Sequence, residues 1–460
     1  MNQVQEAKPF RAIARPPGSL ILGNLAEFRD DILTMLLKAQ QEYGDVVRFR
    51  FAHQPGALFS EPEDIAHLLI KNHRNYRKKT RGYAAMSALI GNGLVTSEGD
   101  FWLRQRRIAQ PSFHKKRIAG FATSMAAAAE RMAKDWAPRA KNQEAFDVAD
   151  EMMKLTLQIV GETLLSADVS SNASEVSGAL DIALHYVLDR IRFPFMLPQG
   201  FPTARNRELK RAIAILNQIV MRIIAERRAA PEGAEAPADL LTMLMEARDE
   251  ESGEGMTDVQ LRDEVMTMFL AGHETTANAL SWTWHLLGQN PDCEARLHAE
   301  LDEVLAGRTP TFEDLPKLVY TRMVIDESMR LYPPVPLVAR MSHEADVISG
   351  YQIPPNLFIF ICPYVTHRHP KYWPDAERFD PERFDPQNPI ERPRFAYFPF
   401  LGGPRQCIGN TFAIMEAQLC LATIASRYRL RPVAGHPVEP ELTITQRPRY
   451  GLKMTIEPRS

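Results

Sequence analysis

The chain has 460 residues, of which 45% are hydrophobic and 24% are charged, as in ordinary globular proteins. This amount of apolar material builds a sizeable core without metal or disulfide cross-links. The formal net charge is −2, so the chain lacks the excess of basic residues that would indicate a nucleic-acid partner.

The cysteines and the hydropathy of the chain bear on its compartment. No two of the four cysteines have C-x-x-C spacing, which excludes zinc-ribbon and dithiol-redox sites, and four in so long a chain do not form a disulfide framework. No stretch is apolar and long enough for a signal-peptide core or a membrane span. We therefore expect a soluble protein of the reducing cytoplasm.

Hydrophobic periodicity predicts mostly helices with a minor sheet. In chain order we predict a strand over 47–51, a long loop over 81–98, helices over 152–165, 179–191 and 207–228, a polar connector over 229–237, helices over 258–287, 291–305 and 320–332, short strands over 347–353 and 357–362, a last helix over 410–428 and a strand over 442–444. Thr257 and Gln260 form a capping box at the start of the longest helix, which at about 1.5 Å per residue spans roughly 45 Å.

The most informative stretch is the loop from Phe398 to Gly409, which contains Cys407. Two glycines and a proline precede this cysteine, and a helix begins directly after the loop. We expect backbone N–H groups, the positive end of the helix dipole and the nearby Arg405 to stabilise a thiolate here. The glycines leave room for a planar ligand close to the backbone. The remaining cysteines fit the ordinary role of structural residues: Cys293, Cys362 and Cys420.

The pattern Phe400-x-x-Gly403-x-Arg405-x-Cys407-x-Gly409 resembles the haem-binding signature of the cytochrome P-450 family. The resemblance implies haem b as the cofactor, with Cys407 as the thiolate ligand to its iron and with Phe400, Arg405 and Gly409 among the residues that bind it.

The same resemblance implies a fold and an activity. The expected fold is mainly α with a minor β region, the single large triangular domain of that family, over residues 1–460. Residues 1–15 are expected to form a poorly ordered tail. The expected protein is a bacterial-type, soluble haem-thiolate monooxygenase that hydroxylates or epoxidises an apolar small molecule, with a fatty acid or a terpenoid favoured.

The segment Glu327-Ser-Met-Arg330 places an acid and an arginine on one face of a predicted helix. In the family, an arginine that matches Arg383 joins this pair in a buried network behind the haem. We expect these three residues to be structural, because they are needed for haem incorporation and not for the chemistry.

The middle of the longest helix reads Ala271-Gly272-His273-Glu274-Thr275-Thr276, a run that breaks the rules of helix propensity where a core helix should obey them. It resembles the oxygen-activation motif of the family, in which the glycine makes room for dioxygen and the acid and alcohol relay protons. That implies a catalytic role for Glu274 and Thr275 and places Ala271 and Gly272 at the haem. No role is assigned to His273.

Trp102 and Arg106 match the W-x-x-x-R motif of the family, and both side chains suit a haem propionate. By the same resemblance Arg340 and Arg405 are further propionate partners. For the substrate pocket, the resemblance points to eight apolar residues: Leu89, Ile90, Leu94, Val95, Phe269, Val335, Leu337 and Val338.

Monooxygenation needs two electrons, and the chain has neither a Gly-rich phosphate fingerprint nor an iron–sulfur cysteine cluster. We therefore expect a separate ferredoxin or flavodoxin with its reductase. A basic cluster before and after Pro111 is expected to steer this acidic donor. Its members are Arg104, Arg106, Arg107, Lys115, Lys116 and Arg117.

Two other functions stay open at this point. One is a peroxide-driven peroxygenase or hydroperoxide rearrangement enzyme, although such relatives typically alter the acid–alcohol pair that this chain keeps. The other is a non-catalytic haem sensor or carrier, which would have no use for Glu274 and Thr275.

Overall fold

The fold is built from helices around one long central helix, with small sheets at the periphery. A computed structural model describes residues 7–166, 173–193, 196–229, 237 and 239–459. Within these residues the helices are α1 (Leu25–Tyr43), α2 (Pro62–Ala66), α3 (Arg81–Ile90), α4 (Gly99–Ala109), α5 (Lys115–Ile118), α6 (Ala122–Asp135), α7 (Ala137–Asn142), α8 (Val148–Val160), α9 (Ala173–Arg192), α10 (Ala204–Arg228), α11 (Leu240–Glu246), α12 (Asp258–Gln289), α13 (Pro291–Leu305), α14 (Val319–Leu331), α15 (Pro363–Thr366) and α16 (Asn410–Ala425).

The strands form one larger sheet and three small ones. They are β1 (Val46–Phe51), β2 (Gln54–Phe59), β3 (Tyr76–Arg77), β4 (Phe146–Asp147), β5 (Val338–Ser342), β6 (Asp346–Ile348), β7 (Tyr351–Ile353), β8 (Phe358–Ile361), β9 (Tyr428–Pro432), β10 (Pro440–Leu442), β11 (Gln446–Pro448) and β12 (Lys453–Pro458). The larger sheet has the order β1-β2-β8-β5-β3, in which only β2 and β8 run parallel. The mainly α fold with a minor β region is confirmed.

Helix α12 is buried on all sides for most of its length. Its capping box of Thr257 and Gln260 is present, and its side chains are buried almost continuously from Leu261 to Leu287. A helix that is covered all round needs partners on every face, and α8, α10, α14 and α16 supply them. One of these partners, α16, follows the cysteine loop.

The long loop predicted over 81–98 is wrong for its first half, which forms α3. Thr80 caps this helix, because its hydroxyl accepts the N–H of Tyr83. The small residues that suggested a loop instead permit close packing: a Cβ on Gly82 would lie 3.1 Å from Ile191 Cδ1 on α9. Tertiary contact with α9 therefore outweighs the low helix propensity of this stretch.

Several residues of the predicted N-terminal tail contact the folded protein. Lys8 pairs with Tyr351 in an isolated β-bridge, and Ile13 is buried. Residues 1–6 lie outside the described residues, as does most of the predicted connector 229–237.

Candidate functional site

The site is a cavity of about 660 Å³ enclosed by α3, α9, α12, the N-terminal half of α16 and strands of the larger sheet. Its wall is mostly apolar. Cys407 lines this cavity, whereas Cys362 and Cys420 are buried elsewhere in the core and Cys293 is half-buried. The accessible surface of Cys407 faces the cavity, while the sulfur is deep within the protein. One cysteine is therefore placed to meet a ligand inside the fold.

The loop before α16 is shaped by glycines whose Cβ positions are already occupied. Gly403 has a φ of +69°, and a Cβ there would lie 2.0 Å from the Leu69 carbonyl oxygen. A Cβ on Gly402 would lie 2.5 Å from the ring of Phe395. The backbone N–H of Cys407 donates to the Phe400 carbonyl at 3.0 Å, which closes the loop. This conformation fixes the direction in which the thiol points.

The positive neighbour of the Cys407 thiol is Arg106, not Arg405 as predicted. Burial raises the pKa of the Cys407 thiol, and the backbone N–H of Gly409 and the Arg106 guanidinium oppose that increase. Arg106 also donates to the Gln406 carbonyl at 3.1 Å, and this bond holds the guanidinium against the cysteine loop. Arg405 turns away, because its guanidinium stacks at 3.6 Å from the Trp102 ring centroid. The thiolate is therefore stabilised from α4 and from the backbone.

Cationic side chains line another part of the same cavity. Arg340 donates to the Tyr83 hydroxyl at 3.0 Å, and Arg405 donates to the Ser97 carbonyl at 2.9 Å. Lys78, which the sequence did not connect with the haem, lies beside both and is only 8% exposed. Burial lowers the pKa of the Lys78 ammonium well below its ordinary value, and Arg405 and Arg340 lower it further.

This cationic cluster, which comprises Lys78, Arg106, Arg340 and Arg405, fits the acid groups of a haem. In the described part of the chain none of its members forms an ion pair with a carboxylate. Glu98 and Glu264 lie near enough to offset part of this charge. Because uncompensated buried cations are costly, the rest of the charge suits an anionic ligand. Haem b carries two propionates, which these cations would hold, and Trp102 lines the cavity beside Arg405. The residues present therefore suit a haem on the Cys407 side of the cavity.

The middle of α12 forms part of the cavity wall, where Ala271, Gly272, Glu274 and Thr275 all line it. The Thr275 hydroxyl donates to the Ala271 carbonyl at 2.7 Å. A Cβ on Gly272 would lie 3.2 Å from Val160 Cγ2. This glycine therefore also permits close approach of α8, which is an ordinary packing role.

Glu274 is bound by Thr445, which lies in the turn between β10 and β11 and which sequence reasoning missed. The hydroxyl of Thr445 donates to Glu274 Oε1 at 2.6 Å, and the side-chain amide of Asn278 donates to the same hydroxyl oxygen at 3.1 Å. Burial raises the pKa of the Glu274 carboxyl, and the bond from Thr445 opposes that increase. Glu274 thus favours its protonated form more than a solvated glutamate does.

The predicted network of Glu327, Arg330 and Arg383 is present behind the cavity. Arg330 donates to both carboxylate oxygens of Glu327, at 2.7 and 2.8 Å, and both side chains are fully buried. Arg383 Nε lies 3.4 Å from Glu327 Oε1. The backbone N–H of Asp380 donates to that same oxygen at 2.9 Å. One carboxylate therefore joins α14 to the segment that leads towards the cysteine loop.

Six of the eight predicted pocket residues line the cavity: Ile90, Leu94, Val95, Val335, Leu337 and Val338. Leu89 and Phe269 were wrongly placed there, because each points into the surrounding core. A position on a helix cannot be assigned to a face from hydrophobicity alone when all faces are apolar. Sequence reasoning also missed wall residues from distant elements: Phe28, Phe51, Leu184, Leu188, Phe360 and Ile444.

The predicted basic cluster is partly neutralised. Arg107 forms ion pairs with Asp249 and Glu251, and Arg104 donates to the Gly255 carbonyl at 3.0 Å. With Arg106 directed at the cysteine loop, the exposed cations are those of α5: Lys115, Lys116 and Arg117. Phe113, just before α5, lies near Gly409. The residue that leads into α5 is therefore next to the end of the Cys407 loop.

A cavity that offers one thiol to a metal and a cluster of cations to two carboxylates has the features of a haem-thiolate enzyme. The sequence matches the family model described as Cytochrome P450 over residues 14–454, and the chain belongs to that family. It is a haem-thiolate monooxygenase, and its cofactor is haem b with a cysteine thiolate as axial ligand.

Several relatives are similar over nearly their whole length. The chain is 39% identical over 446 residues to cyclooctatin synthase of Streptomyces melanosporofaciens, covering 96% of this chain and 95% of that protein. It is 38% identical over 424 residues to cyclooctat-9-en-7-ol 5-monooxygenase of the same organism, covering 91% and 90%. Identity to pentalenene oxygenase of Streptomyces avermitilis is 33% over 418 residues, covering 88% and 91%. Among the described residues, no helix has the length and apolar character required to traverse a bilayer.

Proposed function

We propose that this monooxygenase hydroxylates or epoxidises a terpenoid, with electrons delivered by a separate redox protein. The observation that carries the proposal is the cavity itself, in which Cys407 and Thr275 share one space with a largely apolar wall. An apolar wall with few polar groups suits a hydrocarbon skeleton better than a ligand rich in hydrogen-bonding groups. The names of the relatives, which refer to cyclooctatin and pentalenene, support a terpenoid over a fatty acid.

We propose Cys407 as the thiolate ligand to iron. The cationic cluster and Trp102 would hold the propionates, and Phe400, Gly409, Ala271 and Gly272, which line the same cavity, would help to hold the ring. Haem ligated in this way supplies the activation of dioxygen and the oxidation of the substrate. The protein supplies a fixed sulfur, compensation of the propionate charge and a dry apolar space for the substrate.

In this proposal Glu274 and Thr275 deliver protons to the cavity. Thr275 Oγ lies at the wall with its proton held by the Ala271 carbonyl, and it can turn towards a cavity acceptor by giving up one hydrogen bond. Glu274 is its neighbour in sequence and holds a proton more readily than an exposed glutamate because it is buried. The hydrogen bond from Thr445 fixes the orientation of the Glu274 carboxyl, which is the proton donor in this proposal.

The iron ligand is tested with Cys407→Ser, with Cys293→Ser as the matched control, since Cys293 is half-buried and outside the cavity wall. We expect Cys407→Ser to lose the thiolate-type absorbance of the reduced carbon monoxide complex and all oxygenation. Cys293→Ser should retain both. Oxygenation by Cys407→Ser would refute the assignment.

The substrate class is tested by absorbance titration of the ferric holoenzyme with sclareol, a terpenoid alcohol, and with dodecanoic acid. We expect a low-spin to high-spin shift with sclareol at lower concentration than with the acid. A shift with the acid alone would place fatty-acid hydroxylation first. Product analysis after turnover then shows whether the terpenoid gains one oxygen atom.

For electron delivery we propose a ferredoxin or flavodoxin with its reductase, which docks on α5. In this proposal the chain is a single catalytic domain that works in the cytoplasm with these separate redox proteins. Lys115, Lys116 and Arg117 are exposed beside the Cys407 loop and present positive charge to an acidic donor. Replacing Lys115 and Lys116 by Glu should slow reduction by a surrogate ferredoxin and flatten its dependence on salt. The control is Lys210→Glu on α10, and equal reduction rates for both variants would refute the docking site.

A further inference from the structure

The segment that connects α3 to α4, residues 91–98, is bound by two carboxylates of α12. The backbone N–H of Asn92 donates to Asp263 Oδ2 at 2.7 Å. The backbone N–H of Leu94 donates to Glu264 Oε2 at 3.1 Å. Consecutive acids of one buried helix thus bind alternate amides of the 91–98 segment.

Two glycines make this close approach possible. Gly91 has a φ of +74°, and a Cβ there would lie 2.1 Å from Asp263 Oδ1. A Cβ on Gly93 would lie 2.2 Å from the hydroxyl oxygen of Thr267. Since any larger residue would push the 91–98 segment off α12, its backbone conformation is matched to the two carboxylates.

Lys78 binds the same residues from the opposite side. Its ammonium donates to the carbonyl of Val95 at 2.7 Å and to the carbonyl of Leu94 at 3.3 Å. The N–H of Leu94 therefore donates to a carboxylate, and its carbonyl accepts from an ammonium group. The side chains of Leu94 and Val95 line the cavity, whereas Glu264 is 1% exposed and does not.

We propose that Glu264 is a positioning residue for the substrate, because its carboxylate holds the 91–98 segment and thereby fixes Leu94 and Val95 on the cavity wall. This inference rests on the proposed function, since the molecule that meets this wall is taken to be the terpenoid. Glu264 acts through the segment and not by contact with the substrate. Its removal should therefore change where the substrate lies, because Leu94 and Val95 lose their fixed place on the wall.

The surroundings of Glu264 make its hydrogen bond with the Leu94 N–H sensitive to pH. Burial raises the pKa of Glu264 to about 7, and Asp263 adds to the increase, while the N–H of Leu94 and the charge of Lys78 oppose it. Asp263 is itself paired with Arg262 at 2.6 Å. With that pKa the carboxyl is ionised in about a tenth of molecules at pH 6 and about nine tenths at pH 8. The 91–98 segment should be held more firmly at the higher pH.

The test compares Glu264→Gln with Glu303→Gln, the same change at an exposed site on α13. In the holoenzyme at pH 8, hydrogen exchange of the Asn92 and Leu94 amides should be about 5-fold faster in Glu264→Gln than in wild type, since a neutral acceptor binds an amide more weakly than a carboxylate does. At pH 6 the two should exchange alike. Glu303→Gln should match wild type at both pH values.

The second readout is ligand binding and product distribution. Sclareol should bind wild type more tightly at pH 8 than at pH 6, and this difference should vanish in Glu264→Gln, together with a change in the ratio of oxidised products. Equal exchange in wild type and Glu264→Gln at pH 8 overturns the proposal. Faster exchange with unchanged sclareol affinity and product ratio also overturns it, because Glu264 would then hold the 91–98 segment without any effect on the position of the substrate. If sclareol does not shift the wild-type spectrum, the terpenoid assignment fails, and the same comparison is made with dodecanoic acid.

Discussion

Replacing Glu327 by Gln should destabilise the protein more than any surface ion-pair substitution. The carboxylate is fully buried, accepts two hydrogen bonds from Arg330 and one from the N–H of Asp380, and lies 3.4 Å from the Arg383 guanidinium. Glutamine keeps the shape but leaves two buried guanidinium groups without a counter-ion, and it turns an amide N–H₂ towards an arginine donor. Removal of one partner of such a pair costs about 3–5 kcal/mol.

That loss can be converted into a melting temperature. An unfolding entropy of about 2.1 cal/mol/K per residue over 460 residues gives about 1 kcal/mol/K. The Glu327→Gln holoenzyme should therefore melt about 3–5 °C below wild type. Thermal unfolding followed by circular dichroism measures the shift, and the haem content of the purified variant shows whether cofactor incorporation falls as well.

The control is Asp150→Asn on α8. Asp150 lies 2.7 Å from Lys154, but the two side chains are 59% and 53% exposed. Solvent screens this pair, so the change should cost less than about 0.5 kcal/mol and move the melting temperature by under about 1 °C. If Glu327→Gln is no more destabilised than Asp150→Asn, the carboxylate does not carry the network.

Three further outcomes follow from the same geometry. Lys78→Met should stabilise the haem-free protein at pH 7 and remove a rise in its stability towards pH 10. The pKa of Lys78 is lower in the folded protein than in the unfolded chain. The free energy of unfolding therefore increases as the pH rises towards the pKa of the unfolded lysine. Urea unfolding at several pH values measures this dependence. Thr445→Val should raise the pKa of the Glu274 carboxyl further. Since the lost bond is worth about 1.5–3 kcal/mol to an ionised carboxyl, the product formed per NADPH consumed should fall by at least about tenfold. Gly403→Ala should lose at least about 2 kcal/mol of unfolding free energy and much of its haem, because the new Cβ meets the Leu69 carbonyl.

Matched variants check each of these outcomes. Lys79→Met changes an exposed lysine and should leave the pH dependence of stability unaltered. Thr455→Val, on β12 and outside the cavity wall, should leave coupling unchanged. Gly120→Ala places a Cβ in open space and should change stability by less than about 1 kcal/mol. An effect of equal size in a control and in its partner would refute the corresponding explanation.

The sequence predicted those parts of the site whose chemistry lies within one short stretch. The Cys407 loop, the acid and alcohol of α12 and the Glu327–Arg330 pair are local patterns, and the structure places each on the expected element. Arg405 could not be placed correctly from its spacing to Cys407, since stacking on Trp102 decides where its side chain goes.

Features that depend on contacts between distant segments escaped sequence reasoning. Lys78 belongs to the site because the carbonyls of Leu94 and Val95 cover its ammonium, which no local pattern encodes. Helix α3 forms because α9 packs against its small residues. Phe269 was assigned to the cavity, whereas its neighbour Met268 lines it. Because α12 is buried on all faces, the hydropathy of the sequence does not distinguish the two positions.

The wall of the cavity comes from many separate pieces of chain, among them α1, the larger sheet, α3, α9, α12 and the turn after β10. No single element sets its outline, so one side chain can be exchanged without disturbing the thiol or the cation cluster. The Glu327 network has the opposite property, because its members are useful only together. A directed-evolution library on this scaffold should therefore diversify wall positions such as Leu188, Val335 and Ile444 one at a time, and leave Glu327, Arg330 and Arg383 untouched.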